Sequence, residues 1–309
     1  MASSSLSSSA AAVLSASSPA RAIGMVLLAA MLWGTTGTAQ SLAPAGLSPY
    51  WVGALRLVFA SAFFAVLAWP GLRAGQIRQL HWPAALAGAV CVAAYNLSFF
   101  AGVRSAGVAL GTALAIGSGP IWAGLLQTVW QRRLPPPLWW LGTLLGVAGG
   151  AAMALDGRAS VSAPPAGIAL CLLAGLSYAG YALVNKRLVA QAGAATVNLA
   201  VFGGAAVLSL PAALALGGPL AAAQAGTWAV VAYLGLVATG LAYLLFSSAL
   251  RHISGATGVT LALAEPVTAF ALAIAVVGER PSAMAFAGLG GVLAGLLIVV
   301  AAELRGPRS

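Results

Sequence analysis

The sequence predicts an all-α membrane protein with ten transmembrane helices, arranged as two inverted-topology repeats of five helices each. Three observations lead to this prediction. Hydrophobic residues make up 61% of the 309 positions and charged residues only 6%, whereas a soluble domain is about a quarter charged. The apolar residues fall into ten runs of about 20, the length that crosses a ~30 Å hydrocarbon core as a helix. Finally, several prolines, glycines and aromatic residues recur at a spacing close to 146.

Short clusters of Pro, Gly or Arg separate the predicted spans, and such clusters are typical of helix ends. Before the first span, residues 1–20 form a Ser/Ala tract without charge. A secretory signal would begin with a basic segment, so this tract is predicted to be a disordered tail. The count of spans would fall to nine if the short join near Arg104 were misread. The predicted spans are 22–43, 49–70, 82–101, 106–130, 137–155, 165–186, 195–217, 227–248, 253–277 and 283–302.

The basic residues predict the orientation of these helices, because cytoplasmic loops carry an excess of Lys and Arg. With the N-terminus inside, the inner segments hold ten basic residues and the outer loops three, while Arg56 lies within the second span. Both termini are therefore predicted to be cytoplasmic, in a multi-pass protein of the cytoplasmic (inner) membrane. The ten are Arg21, Arg73, Arg78, Arg132, Arg133, Lys186, Arg187, Arg251, Arg305 and Arg308, and the three are Arg104, Arg158 and Arg280.

Net charge and the few titratable residues exclude several classes of function. The net charge of +10 follows the topology and suits contact with anionic lipids, whereas a nucleic-acid partner would need basic residues clustered on a water-facing domain. Paired-carboxylate hydrolysis needs two acids at one site, and a zinc site needs three or four suitably spaced ligands. The chain offers neither, so we expect no metal, no cofactor and no enzyme activity. The acids are Asp156, Glu265, Glu279 and Glu303, and the histidines are His81 and His252.

An internal repeat organises the chain. Pro120 and Pro266 are 146 residues apart, and so are Pro135 and Pro281. Because each copy has five crossings, an odd number, the second copy enters the membrane from the opposite side. Inverted repeats of this kind occur in many secondary transporters, whose small-molecule substrate site lies between the halves near the midplane. The predicted units are a tail at 1–20, a first repeat at 21–156, a second repeat at 157–304 and a C-terminal tail at 305–309.

Stretches of both halves resemble a known family. The second half reads ALRHISGATGVTLALAEPVTAFALAIAVVGERP over Ala249–Pro281, and the first half carries LRLVFA at Leu55–Ala60 and SAGVALGTALAIGSGP at Ser105–Pro120. These stretches resemble the signature of the drug/metabolite transporter superfamily, EamA type, and the resemblance extends over residues 22–303. The first copy has Gly119 where the second has Glu265, so the carboxylate is not duplicated.

The resemblance implies an inverted-repeat bundle around a central cavity and export of small metabolites, often amino acids. Aromatic amino-acid exporters of the YddG type are the members that the chain resembles most. A multidrug or organic-cation exporter is the alternative within transport. An intramembrane enzyme acting on lipid-linked substrates is the alternative outside it, with only Glu265, Arg56 and the tyrosines placed to form its catalytic site.

Two ionisable residues, Arg56 and Glu265, are predicted to lie deep within spans. A residue of this kind is a candidate for a functional role, because a charge inside the membrane is energetically costly unless it is paired or hydrated. Helical rise places both at similar depths, so the pair could bridge the halves or bind the carboxylate and ammonium of a zwitterionic substrate. The alternatives are a structural carboxylate near the Pro266 kink and an arginine that extends to the outer head groups. Glu265 could also carry protons, although facilitated exchange needs no titratable group.

Aromatic residues within spans form a second candidate site. Trp and Tyr favour membrane interfaces, so mid-span copies indicate rings that stack on a substrate while their N–H and O–H groups form hydrogen bonds. The alternative for any one ring is ordinary helix packing, and a repeat match at a shift of 145 favours Trp33 and Tyr178. The candidate substrate-binding residues are Trp33, Tyr95, Asn96, Trp122, Tyr178, Tyr181 and Tyr243.

Prolines and glycines are predicted to shape the bundle. Pro120 and Pro266 interrupt equivalent helices of the two halves, which in transporters marks the binding site. We expect them to be gating kinks of an alternating-access mechanism, and harmless kinks are the alternative. Glycine ridges permit close helix contact, and here they favour packing within a monomer over dimerisation. The ridges comprise Gly142, Gly146 and Gly150 on the fifth span and Gly291 and Gly295 on the tenth.

Overall fold

A computed structural model describes residues 19–42, 47–132, 134–156, 163–220, 224–278 and 280–305, and every regular element in these residues is helical. Most of the predicted N-terminal tail, together with Arg133, Arg158, Glu279 and Arg308, lies outside the described residues. The long helices are α1 (Pro19–Gln40), α2 (Pro49–Arg73), α3 (Trp82–Ala106), α4 (Val108–Gln131), α5 (Pro137–Ala154), α6 (Pro165–Leu188), α7 (Ala194–Leu216), α8 (Ala225–Ala249), α9 (Gly255–Val276) and α10 (Ala283–Arg305).

Helix length and composition fit a membrane-spanning bundle. Within the described ranges, nine of these helices are long and apolar enough to cross a membrane. The remaining helix, α4, has 24 residues, which at 1.5 Å per residue is about 36 Å. The predicted fold class is confirmed, with helix ends that differ by a few residues from the predicted spans.

Local sequence explains where several helices begin. Pro49 and Pro137 lie at the first positions of α2 and α5, where the fixed φ of proline suits a helix and its missing N–H has no intrahelical acceptor. Ser254 caps α9 through its hydroxyl oxygen. Gly107 alone separates α3 from α4, and its φ of 84° is readily adopted only by glycine. The join near Arg104 therefore divides two helices.

Packing between helices follows the symmetry expected of two inverted repeats. Helix α2 packs against α7 and α5 packs against α10, and each pair consists of equivalent helices. The contact of α3 with α6 is matched by that of α8 with α1, and the contact of α4 with α6 is matched by that of α9 with α1. Likewise, α3 contacts α7 and α8 contacts α2. Each half therefore completes the core of the other.

Glycines bring the backbones of α5 and α10 into contact. A Cβ on Gly149 would lie 2.5 Å from the carbonyl oxygen of Gly288, and one on Gly295 would lie 2.5 Å from that of Gly142. The predicted ridge was wrong at Gly150, because a Cβ there would meet nothing within 4 Å. One residue turns a helix by about 100°, so Gly150 lies off the contact and Gly149 replaces it.

Irregular segments interrupt α8 and α9. Helix α8 contains a π-helical segment at Leu236–Leu241, a feature often found at functional sites. Helix α9 passes through a 3₁₀ turn at Ala262–Ala264 and resumes at Glu265. Pro266 follows directly, and the change of geometry is explained by its missing N–H and by its clash with the preceding turn. Pro120 lies inside α4, which continues as a single helix.

Candidate functional site

A narrow cavity lies between the two halves, and its volume of about 10 Å³ is enough for about one water molecule. Helices α2 and α3 form its wall on the side of the first half, and α6, α7 and α8 form the wall of the second. Its surface is mainly aromatic, with one cation and one amide. The lining residues are Arg56, Leu57, Val92, Tyr95, Asn96, Tyr178, Tyr181, Phe202 and Tyr243.

Five of the predicted aromatic residues form one cluster at this cavity, in which the four tyrosines line the wall and Trp33 contacts two of them. The ring of Trp33 lies 5.0 Å from that of Tyr243 and meets the ring of Tyr178 edge-on at 6.2 Å. Tyr95 is 6.0 Å from Tyr178, and Tyr181 is 5.7 Å from Tyr243. Such distances are typical of attractive edge and offset contacts between rings. The repeat-matched residues Trp33 and Tyr178 are therefore in direct contact.

The other two predicted binding residues are placed differently from each other. Asn96 lines the cavity and is only 3% exposed. Its amide nitrogen lies 2.6 Å from the position of a Cβ on Gly53, so this glycine allows α2 to approach α3. Trp122 packs against the core from α4. In the part of the chain that the structure describes, Trp122 neither lines the cavity nor contacts another ring.

Several polar atoms around the cavity are buried without a hydrogen-bond partner. They are Nε of Arg56, Oδ1 of Asn96, the hydroxyl of Tyr178 and Nε1 of Trp33. Leaving a buried polar group unpaired costs about 1–3 kcal/mol. Arg56 and Trp33 can only donate, the Asn96 oxygen can only accept, and Tyr178 can do either. The set is suited to a ligand that carries both acceptors and donors.

Glu265 lies beside this cavity on α9. A Cβ on Gly34 would lie 2.6 Å from the Glu265 carbonyl oxygen, so α1 and α9 are in close contact next to Trp33. The Glu265 side chain interacts electrostatically with Arg56 and Tyr95. No direct ion pair joins Glu265 to Arg56 among the residues described. Across the same residues, no three His, Cys, Asp or Glu side chains cluster as a metal site would require.

A buried hydrogen-bond network supports two of the cavity tyrosines. Asn185 donates to the Ser247 hydroxyl at 2.8 Å, and Ser247 donates to the Asn198 oxygen at 2.7 Å. Asn198 donates in turn to the carbonyl of Tyr243 at 3.1 Å, and the hydroxyls of Tyr181 and Ser247 are 3.4 Å apart. Asn185, Asn198 and Ser247 have no exposed surface. The network therefore ties α6, α7 and α8 together directly behind the cavity.

Sequence reasoning did not identify this network or Phe202. An asparagine in an apolar span was an available signal, since polar side chains in membranes form hydrogen bonds across helices. That signal was used for Asn96 and passed over for Asn185 and Asn198. Phe202 carries no comparable signal, although its ring lies 4.6 Å from that of Tyr243.

Replacing Ser247 by alanine is expected to lower the free energy of unfolding by about 2–3 kcal/mol, because Asn185 and Asn198 would each lose a buried partner. The matched control is Ser248→Ala, since that hydroxyl donates only to the Leu244 carbonyl of its own helix. Thermal unfolding of the purified variants should give a clearly lower melting temperature for Ser247→Ala. Equal melting temperatures would show that the network does not stabilise the bundle.

Comparison with known proteins gives results that agree with this architecture. The model of the EamA-like transporter family matches residues 20–155 and again residues 165–301, once in each five-helix unit. The Uncharacterized transporter YwfM of Bacillus subtilis (strain 168) is 36% identical over 280 residues, which cover 91% of this chain and 94% of that protein. A solved crystal structure with 20% identity superposes with a TM-score of 0.78 over 92% of this chain and 98% of the other, which indicates the same fold.

Two matches of one family model agree with the repeat that the prolines predicted. Together they cover most of the chain, and the relative from Bacillus subtilis shares more than a third of its residues over nearly its whole length. The chain therefore belongs to the EamA-like transporter family, as a multi-pass membrane transporter with two EamA repeats.

Proposed function

We propose that this transporter exports small amphipathic metabolites, with aromatic amino acids as its preferred substrates, by alternating access. The observation that carries the proposal is an aromatic cavity with unpartnered polar atoms of Arg56, Asn96 and Tyr178 in its wall. Family membership supports transport, and the cavity supports the choice of substrate.

An aromatic amino acid complements the cavity group by group. The guanidinium of Arg56 is suited to the substrate carboxylate, because arginine binds carboxylates with two parallel hydrogen bonds. The carboxylate of Glu265, on the other half, is suited to the ammonium group. The rings of Trp33, Tyr178 and Tyr243 offer edge and face contacts to an aromatic side chain.

Binding of this substrate requires the cavity to enlarge considerably, because its volume of about 10 Å³ is far below the roughly 300–1,000 Å³ of most small-molecule pockets. The irregular segments of α8 and α9 are suited to bending, with Pro266 and Pro120 as gating kinks. Rocking of helix groups there would open the cavity to one side at a time. Cysteine labelling in which both sides of the cavity stay accessible together would contradict this mechanism.

The distribution of charge supports the orientation. One end of the bundle is basic, and we call it the basic end. In the proposed orientation the basic end faces the cytoplasm, with both termini there and the transporter in the cytoplasmic membrane. The contact of the glycine faces of α5 and α10 within one chain favours a monomer. The basic end is defined by Arg21, Arg73, Lys186, Arg187, Arg251 and Arg305.

Uptake of labelled phenylalanine into liposomes tests the proposal. We expect liposomes with the purified protein to accumulate label faster than empty liposomes, and excess unlabelled tyrosine or tryptophan to compete. An imposed pH gradient should accelerate uptake if Glu265 carries protons, and should leave it unchanged in facilitated exchange. Uptake of no aromatic amino acid above the empty control would overturn the proposed substrate.

A multidrug or organic-cation exporter is the second candidate. Glu265 and the rings of Trp33 and Tyr178 favour it, because aromatic faces and a carboxylate attract quaternary amines. Competition separates the two candidates, since we expect unlabelled phenylalanine to inhibit phenylalanine uptake and tetraethylammonium to leave it unchanged. The reverse pattern, with tetraethylammonium as the stronger competitor, would favour the cation exporter.

A further inference from the structure

Two adjoining pockets open at the basic end, and Arg251 lines both. The wide pocket has a volume of about 480 Å³ and lies between the ends of α6 and α8 and the start of α7. The smaller pocket has a volume of about 360 Å³ and lies between the starts of α1 and α7 and the end of α8. Polar groups of the wide pocket belong to Gln76, Gln79, Lys186, Gln191 and Arg251, and those of the smaller pocket belong to Arg21, Ser248, Arg251 and His252.

The charged side chains that line these pockets are all basic. No Asp or Glu is present among the described residues that line either pocket. The acid that interacts with Lys186 is Glu303, and its carboxylate already accepts hydrogen bonds from the Ser254 backbone and the Thr257 hydroxyl. An anion that enters the pockets therefore meets a concave surface of positive potential, where charge of one sign concentrates the field.

Arg251 and Lys186 are held in place by the backbone. One terminal nitrogen of Arg251 donates to the Ala192 carbonyl at 2.6 Å, which fixes the guanidinium and leaves its other N–H groups for a ligand. The Lys186 ammonium donates to the carbonyls of Leu250 and Ile253 at 3.2 and 2.8 Å. Both cations are thus positioned before any ligand binds, which lowers the entropic cost of binding.

Two arginine–tryptophan pairs mark the membrane interface at this end. The guanidinium of Arg73 lies 4.9 Å from the centre of the Trp69 ring, and that of Arg187 lies 3.7 Å from that of Trp130. Trp69 and Trp130 are 55% and 45% exposed, and such tryptophans are typical of the head-group level. Because Arg187 directly follows Lys186 in α6, the pockets lie at the level where phospholipid phosphates are found.

We propose that the two pockets bind the phosphate group of an anionic phospholipid, with Arg251 as the central contact and Lys186 and His252 beside it. Apolar wall residues with accessible surface, such as Met25 and Ala190, would contact the glycerol and the upper acyl chains. Basic pockets between transmembrane helices are known to hold anionic head groups. The site is separate from the central cavity and is independent of the transported substrate.

Native mass spectrometry of the detergent-purified protein tests this assignment. Titration with phosphatidylglycerol should give tighter binding than titration with phosphatidylcholine. Arg251→Gln should weaken binding of phosphatidylglycerol by about tenfold, as expected for a lost charge-assisted hydrogen bond, and should leave phosphatidylcholine unaffected. Arg305→Gln is the matched control, because it removes the same charge from the same end outside both pockets. We expect Arg305→Gln to bind like wild type.

A second variant and a soluble anion complete the test. Ser248→Leu keeps every charge but fills part of the smaller pocket, so it should also weaken phosphatidylglycerol binding even if Arg251→Gln does not fold. Inorganic phosphate at millimolar concentration should not displace the bound lipid. Displacement by inorganic phosphate, equal binding of the two lipids, or equal losses in Arg251→Gln and Arg305→Gln would overturn the proposal.

Discussion

Replacing Arg56 by glutamine is expected to slow phenylalanine transport by about 10- to 100-fold, the value of one or two hydrogen bonds between an arginine and a carboxylate. The Arg56 guanidinium lines the cavity, and its Nε is buried without a partner. The variant loses a cation that the substrate carboxylate would otherwise meet. Initial rates of uptake into liposomes, normalised to the amount of folded protein, give the measurement. Arg104→Gln is the control, because Arg104 is exposed at the end of α3.

Substrate analogues make this prediction specific to the proposed contact. Phenethylamine lacks the carboxylate, so its weak inhibition of uptake should be the same in wild type and Arg56→Gln. By the same reasoning, 3-phenylpropionate lacks the ammonium group, and its inhibition should be unaffected by Glu265→Gln. Equal transport of phenylalanine by wild type, Arg56→Gln and Glu265→Gln, with normal folding of all three, would contradict the proposed roles.

The aromatic part of the site was predictable because its signal is local. A ring in the middle of an apolar span is unusual, and this rule alone selected Trp33, Tyr95, Tyr178, Tyr181 and Tyr243. All five meet in the structure. The inverted repeat explains why, since it places equivalent helices on opposite sides of one axis and so brings their midpoints together.

Other parts of the site depend on which face of a helix is turned towards the cavity. A span that is apolar on all sides carries no pattern from which that face could be predicted. Trp122 was predicted to join the site because it lies just beyond Pro120, but it does not line the cavity. Phe202 was indistinguishable from an ordinary packing residue and yet lines it. The distance between Arg56 and Glu265 could not be predicted either, because similar depth says nothing about which helices are neighbours. In the structure, α2 packs against α7 and α8, whereas α9 packs against α1.

The glycines of α5 also show that the sequence does not reveal which face of a helix makes a contact. Four-residue spacing selected Gly150 as a member of the ridge, although neighbouring glycines at 149 and 150 are both compatible with a small face. Only the rotation of α5 against α10 distinguishes them. Gly149 faces backbone atoms of α10, whereas Gly150 faces open space. The same substitution at these two adjacent positions therefore tests the contact between α5 and α10.

Gly149→Ala is expected to destabilise the protein by about 1–3 kcal/mol, the usual cost of overpacking, whereas Gly150→Ala should be neutral or stabilising by up to about 1 kcal/mol, because alanine is the better helix former. The new methyl at 149 would lie 2.5 Å from the Gly288 carbonyl oxygen and 2.6 Å from the Val292 nitrogen. Both are backbone atoms, so no side chain can rotate away and the two helices must separate. Thermal unfolding in detergent should order the melting temperatures as Gly150→Ala at or above wild type, and Gly149→Ala several degrees below. If both variants melted together, α5 and α10 would not be in the backbone contact on which the inverted-repeat core depends.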